Sequence, residues 1–332
     1  MAKKKRQNRE QQTETESGGK VDLYQSVTDK IIAEMEAGRL PWVQPWKSIG
    51  GDGQHAACQI GLPVNAVSGK TYSGINILLL WGAVIEKGYP SQIWLTYRQA
   101  KSLGGNVRKG ERGEIICYAD RFVTKDEKQN AIAEGRDAVA IPFLKRYRVF
   151  NIAQCDGLPE DLYRLDAPLP ERKIVPQAEA LVQATGADIR IGGDRAFYVP
   201  AQDFVQLPPQ PAFTDQINYY RTCFHELGHW TGHKSRLARE IMNLDQSGRG
   251  STKTYAREEL VAEMCAAFVC ATLSIQPTVR HADYIGSWLE VLKEDKRAIF
   301  KAASQASKAA DYLLAFRSDE AKVAEPAEQV AA

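Results

Sequence analysis

The stretch TCFHELGHWTGH, residues 222–233, constrains the fold more than any other part of the chain. The protein has only five histidines, and three of them fall here. His225 and His229 flank Glu226 as H-E-x-x-H, and a four-residue offset brings two side chains about 5–6 Å apart on one side of a helix. Both imidazoles can then reach one ion at about 2.0–2.1 Å. Glu226, one step round, suits a general base acting on water that such an ion acidifies. Ile217, Tyr220, Phe224, Leu227 and Thr231 form another face, so residues 215–233 read as a helix capped by Thr214. His233 is excluded as a ligand, because eight helical residues separate it from His225 by about 12 Å. The third ligand must come from elsewhere in the fold. Gly228 suits a face where a substrate or another backbone comes close. A surface helix of mixed polar residues is the alternative, but the flanks are apolar and histidine is scarce elsewhere.

The best supplier of that ligand is YAREELVAEMCAAFVCA, a later helical pattern carrying Glu258, Glu259 and Glu263. Buried carboxylates on an apolar helix call for a cation. Glu259 and Glu263 share a face by their four-residue spacing, and Glu258 is expected to point off it. E-x-x-x-E after H-E-x-x-H resembles gluzincins, where the first acid of E-x-x-x-D binds the metal and the second orients a ligand histidine. The resemblance implies Glu259 as ligand and Glu263 as its supporting partner. Glu in place of Asp leaves the reverse order open. The ligand types point to one Zn²⁺, and Mn²⁺ or Co²⁺ also fits. Tyr255, just ahead of the ligand helix, is a candidate oxyanion stabiliser by position alone.

The front of the chain differs in character. Residues 20–155 carry more Lys and Arg than Asp and Glu, and the balance reverses from residue 156 onward. A basic front suits a polyanion. Basic and aromatic residues interleave there: Arg39, Trp42, Trp46, Lys47, Lys70, Tyr72, Trp94, Tyr97, Arg98, Lys101, Arg108, Lys109 and Arg112. Such mixtures hold single-stranded nucleic acid, cations tracking phosphates while rings stack bases. The bland reading, core tryptophans beneath a solvated charged face, stands beside it. Trp81, inside an apolar helix, is core.

Local signals give an α+β chain. Asp22 with Gln25 caps a helix whose face is Leu23, Val27, Ile31 and Met35, and Gly38 stops it. Ser73 caps a second helix ended by Gly88, and Thr96 with Gln99 caps a third ended by Gly104 and Gly105. GEIICYADRFV and AVAIPFLKRYRVFN read as strands joined by a polar loop at 124–137. Residues 156–175, rich in Pro and Asp, read as a linker. A helix, short strands and three helical patterns at 215–233, 254–273 and 281–316 follow. The start, MAKKKRQNREQQTETESGGK, lacks an apolar h-region and reads as a solvated tail rather than a signal peptide. Six cysteines without a C-x-x-C pair point to reduced thiols in the cytoplasm. No run of about eighteen apolar residues exists, so no membrane span is expected.

The order of motifs is itself informative. PWVQPW, NAVSGKTYSGIN, WLTYRQAKSLGGNVRKGERG and YRVFNIAQC resemble the N-terminal single-stranded-DNA-binding domain of ArdC-type antirestriction proteins, shared with TraC-type plasmid primases. HELGHWTGH, YAREELVAE and YIGSWLEVLKEDKRAIFKAASQASKAADYLL resemble the zincin metallopeptidase domain that follows in the ArdC type. The resemblance covers about residues 20–317 in the family order. It implies an α+β DNA-binding domain at 21–155 and a mainly helical zincin-like domain with a small sheet at 176–317, set between the tail at 1–20, the linker at 156–175 and a tail at 318–332 that the composition suggests. It also implies a protein that shields incoming plasmid DNA from host restriction during conjugation, with host restriction or DNA-bound proteins as candidate substrates.

Overall fold

The computed structural model describes residues 22–43, 60–163, 171–239, 252–276 and 284–317. The first helix, α1 (Leu23–Glu36), starts where Asp22 accepts hydrogen bonds from the Tyr24 and Gln25 amides. Gln25 turns to Asp29 rather than closing a capping box. Val27, Ile31 and Met35 are buried, and Gly38 leaves the helix at φ +76°. After β1 (Val64–Asn65) comes α2 (Ile75–Lys87). Its N-cap is Gly74 rather than the expected Ser73, and the Gly74 amide donates to Ser307 Oγ at 2.8 Å. The start of α2 is thus fixed by the far end of the chain, which local sequence does not encode.

Next come β2 (Ile93–Leu95) and α3 (Tyr97–Ser102), which carries the expected Thr96–Gln99 capping box. β3 (Asn106–Val107), β4 (Glu114–Phe122), α4 (Lys125–Glu134), β5 (Ile141–Asn151) and β6 (Cys155–Asp156) complete the front. One sheet has the order β1-β2-β5-β4, with β1 and β2 parallel and the other pairs antiparallel, and β3 pairs β6. The segment expected as a loop at 124–137 contains α4, capped by Thr124 and ended by Gly135 in the left-handed region. At Gly105 a Cβ would fall 2.5 Å from Leu158 Cδ2 and 2.9 Å from the Asp156 carbonyl, so only glycine lets β3 meet β6.

The rear opens with α5 (Glu171–Ala184), which begins inside the segment read as a linker and carries Pro176 within it. β7 (Asp188–Ile191), β8 (Phe197–Val199) and β9 (Phe204–Leu207) form a three-stranded sheet of order β7-β9-β8. Then follow α6 (Gln216–Trp230), α7 (Thr252–Thr272), α8 (Ile285–Glu294) and α9 (Ala298–Leu314). Asp215 rather than Thr214 caps α6, and the helix ends at Trp230, short of the expected 233. The pattern at 281–316 divides because Asp295 turns extended and accepts from the Arg297 amide at 2.9 Å. One hydrophobic core contains residues from α1, α2 and α5–α9. Two-domain in sequence, the α+β molecule is continuous in its interior.

Candidate metal centre

Helix α6 lies against α7, and their closeness depends on Gly228. A Cβ there would sit 3.2 Å from Ala262 Cα and 3.3 Å from the Ala262 carbonyl, so the close approach is to another backbone. This contact turns the α6 imidazoles toward the α7 carboxylates. His225 Nε2 lies 3.3 Å from Glu259 Oε2, and His229 Nε2 lies 3.3 Å from Glu259 Oε1. The three residues offer ligand atoms within 4.8 Å of one another, and all three are buried. His225 Nδ1 faces Glu263 at 3.1 Å. Glu226 is also buried, on the same helix as the two histidines.

Glu258 departs from expectation. It does not point away: it is buried and meets His229 Nδ1 at 3.3 Å. Two crossing helices let neighbouring residues on α7 straddle α6, so Glu258 and Glu263 each take the outer nitrogen of one histidine. Arg239, which the sequence did not single out, holds Glu258 from below. Its guanidinium donates to Glu258, to Thr231 Oγ1 at 2.7 Å and to the Gly228 carbonyl at 2.7 Å. The only local signal is the buried acid itself, which needs a charge partner. His233 sits beyond the helix end, bonded to Ser235 at 2.7 Å, away from the cluster.

The electrostatics define the charge this site takes. Four buried carboxylates (Glu226, Glu258, Glu259, Glu263) face one buried guanidinium and two imidazoles. Burial pushes both imidazoles down, yet the carboxylates outweigh it: Glu259 and Glu263 raise His225 to about 9. Glu259 and Glu258 raise His229 to about 10. Burial pushes Glu259 up, but the two imidazoles hold it well below the usual carboxylate range. Without a metal, two ring protons together with Arg239 offset three of the four negative charges. A divalent cation supplies the same two charges, and two imidazole nitrogens plus a carboxylate are the donors such an ion takes. The residues fit the group.

The front-half candidates scatter. Trp42 is fully buried and offers no ring to a ligand, which corrects its nomination as a DNA contact. Trp94 is equally buried. Trp46 and Lys47 lie outside the described residues. Tyr72 is half-buried, its hydroxyl accepting from Asn65 Nδ2 at 3.3 Å. Arg108 is exposed but engaged, bonding Glu111 at 2.9 Å and the Ala153 carbonyl at 2.6 Å. Lys70, Arg98, Lys101, Lys109 and Arg112 are exposed. Asn65 joins Gln99 at 3.1 Å, bringing the turn that carries Lys70 beside the α3 start with Tyr97 and Arg98. The β4–β5 ribbon adds residues outside that set. Tyr118 and Tyr147 are each about half exposed, with ring centroids 6.0 Å apart. Register places Lys145 opposite Tyr118, and Lys145, Arg146 and Arg148 are exposed. The signal was in K-R-Y-R, since so many consecutive polar residues on one strand cannot all face inward.

Comparison with known proteins agrees with both halves. Residues 21–150 match the N-terminal domain of the anti-restriction factor ArdC, and residues 176–305 match a zincin-like metallopeptidase family. A plasmid-encoded antirestriction ArdC protein has been crystallised metal-free and Mn(II)-bound. The chain is 43% identical to it, with TM-scores of 0.72 and 0.70, covering 89% of this chain and 97% and 98% of those chains. The uncharacterised protein y4eC of Sinorhizobium fredii is 40% identical over 90% of this chain and 93% of its own length. The DNA primase TraC of Escherichia coli is 37% identical over 90% of this chain, which spans only 27% of that primase. Among the described residues no helix is long and apolar enough to cross a membrane. The chain belongs to the ArdC antirestriction family, an ArdC-type N-terminal domain followed by a zincin-like metallopeptidase domain.

Proposed function

We propose that this protein protects incoming plasmid DNA during conjugation, in the cytoplasm, by binding single-stranded DNA through its front region and hydrolysing proteins that act on that DNA. The observation that carries the reading is the buried convergence of His225, His229 and Glu259 beside Glu226, in one chain with an ArdC-type front. We assign Zn²⁺ to the site from its ligand types, with Mn²⁺ or Co²⁺ as substitutes. When bound, the cation supplies Lewis acidity that polarises a carbonyl and acidifies water. Glu226 takes the proton of the attacking water and passes it to the leaving amine. Glu263 and Glu258 fix the two imidazoles so that their Nε2 atoms face inward. Rings and cations on the outer ribbon, with Tyr97, Arg98 and Lys101 on α3, suit stacked bases and phosphates with little sequence preference.

A second reading rests on one observation. His225, Glu226, His229 and Glu259 are all buried, and a site closed to solvent suits a structural metal rather than a catalytic one. In that case the protein is a DNA-coating shield that cuts nothing. Glu226→Gln separates the two, since it leaves the three ligands in place. Loss of protection in a restriction-challenged conjugation, with metal content and DNA binding intact, supports hydrolysis. Full protection by the variant sinks it. Incubation with host restriction enzymes and with proteins crosslinked to single-stranded DNA then distinguishes the substrate class by DNA-dependent fragments.

A further inference from the structure

A continuous series of aromatic side chains runs from the front region to the proposed metal ligand. Trp42, in the turn after α1, meets Trp288 of α8 edge to face, centroids 5.7 Å apart at 71°. Trp288 stacks on Tyr284 at 6.3 Å and 29°. Tyr284 lies 5.7 Å from Tyr255, at the start of α7. Tyr255 stands one helical turn before Glu259 on α7, and its hydroxyl interacts with the side chains of Tyr284 and Glu259. The two ends of the series are held differently. Trp42 and Trp288 are fully buried, and neither indole N–H finds an acceptor among the described residues. Their orientations are therefore set by the shapes of neighbouring rings, not by a directed bond, and close-packed interiors transmit such displacements. Tyr255 is 42% exposed, so its place over Glu259 depends on Tyr284 and on its own hydroxyl rather than on burial.

We propose that Trp42, Trp288, Tyr284 and Tyr255 are positioning residues through which the front region sets the Glu259 carboxylate, and with it the affinity of the site for a divalent cation. The proposal rests on the metal-site reading given above. Tyr255 acts last, by donating to the one carboxylate that faces both histidines. Trp42 acts through three intervening residues, so its effect on metal binding is the distinguishing mark of the series.

The test is Mn²⁺ binding to the full chain by calorimetry, with thermal unfolding measured alongside. Tyr255→Phe is expected to weaken Mn²⁺ binding about tenfold. Trp42→Phe, remote from the site, is expected to weaken it about fivefold, the lower end of ordinary coupling between sites. In the Tyr255→Phe background, Trp42→Phe should cost no further affinity, because the last contact is already gone. Trp94→Phe is the control: it is equally buried and likewise lacks an indole acceptor, but it packs on Tyr89, off the series. It should lower thermal stability without changing Mn²⁺ affinity. Where Trp42→Phe does not fold, Trp288→Phe carries the same prediction. Unchanged affinity in these variants, additive losses in the double variant, or an equal loss in Trp94→Phe overturns the proposal. Absence of Mn²⁺ binding by the wild-type protein overturns the metal-site reading itself, and the positioning role with it.

Discussion

Arg239 directs its donors into one small buried volume, to Glu258, Thr231 and the Gly228 carbonyl. Removing it strands the Glu258 carboxylate, and an uncompensated buried charge costs about 3–5 kcal/mol. Arg239→Ala should therefore lower the unfolding free energy obtained from urea titration by that amount. Arg239→Lys should recover only part of it, because an ammonium does not reproduce the planar fork. The imidazoles make a second prediction, whose sign follows from their partners. In the metal-free protein His225 and His229 are raised to about 9 and about 10. Their protonation stabilises the fold in full below about pH 6.5, the ordinary histidine value, and that stability is lost as pH rises through 9 and 10. Glu259 is depressed, so its share is present above the ordinary Glu range and lost on acidification. Thermal scans of EDTA-treated protein should show falling stability from about pH 6.5 to about 10. Apparent Mn²⁺ affinity should climb over the same interval, since binding must displace the ring protons.

At the scale of elements, the α6–α7 contact sets the ligand geometry, because the histidines and Glu259 lie on opposite sides of it. Gly228→Ala places a methyl against Ala262 backbone, which cannot yield as a side chain would. Forcing such helices apart costs about 1–3 kcal/mol. The variant should therefore lose stability and weaken Mn²⁺ binding together, read by calorimetry on one sample. The need for glycine at this point was legible from its place in H-E-x-x-H, as was α3 from its capping box, because both signals are local. Glu258 was not legible. Whether a residue next to Glu259 faces toward or away from α6 depends on the crossing of two helices, which spacing on either one does not contain. The same holds for Trp42: an aromatic beside basic residues reads as a ligand platform until a partner from α8 covers it. The β4–β5 ribbon was not legible as a surface either: strand spacing does not say what covers Tyr118 and Tyr147, and both stand about half exposed. Replacing both by Ser should weaken binding to an oligothymidylate by about 2–6 kcal/mol in total, at about 1–3 kcal/mol per stacked base. Filter binding checks this, and undiminished affinity would remove the ribbon from the DNA-binding surface.

Across the whole molecule, the boundary between the two family domains is crossed by its core. Ile31, Trp42 and Trp81 from the front cluster with Phe268, Trp288 and Leu313 from the rear. Trp81 meets Phe268 at 5.7 Å, and Thr28 Oγ1 donates to the Lys296 carbonyl at 2.7 Å. Helices that bury part of their apolar faces against the other domain expose that part when the other domain is removed. The chain should therefore unfold in one transition, with calorimetric and van't Hoff enthalpies in agreement. Trp81→Ala, which empties a site shared by α2 and α7, should cost about 3–5 kcal/mol and shift that transition without splitting it. Residues 21–155 produced alone should expose Ile31, Trp42 and Trp81 and self-associate in sedimentation velocity. Two resolved calorimetric transitions, or a monomeric and folded front fragment, would mean that the contacts between α1, α2 and the rear helices contribute little. The positioning role of Trp42 would then lose its mechanical basis, because a front region that moves freely cannot hold a ring against Trp288.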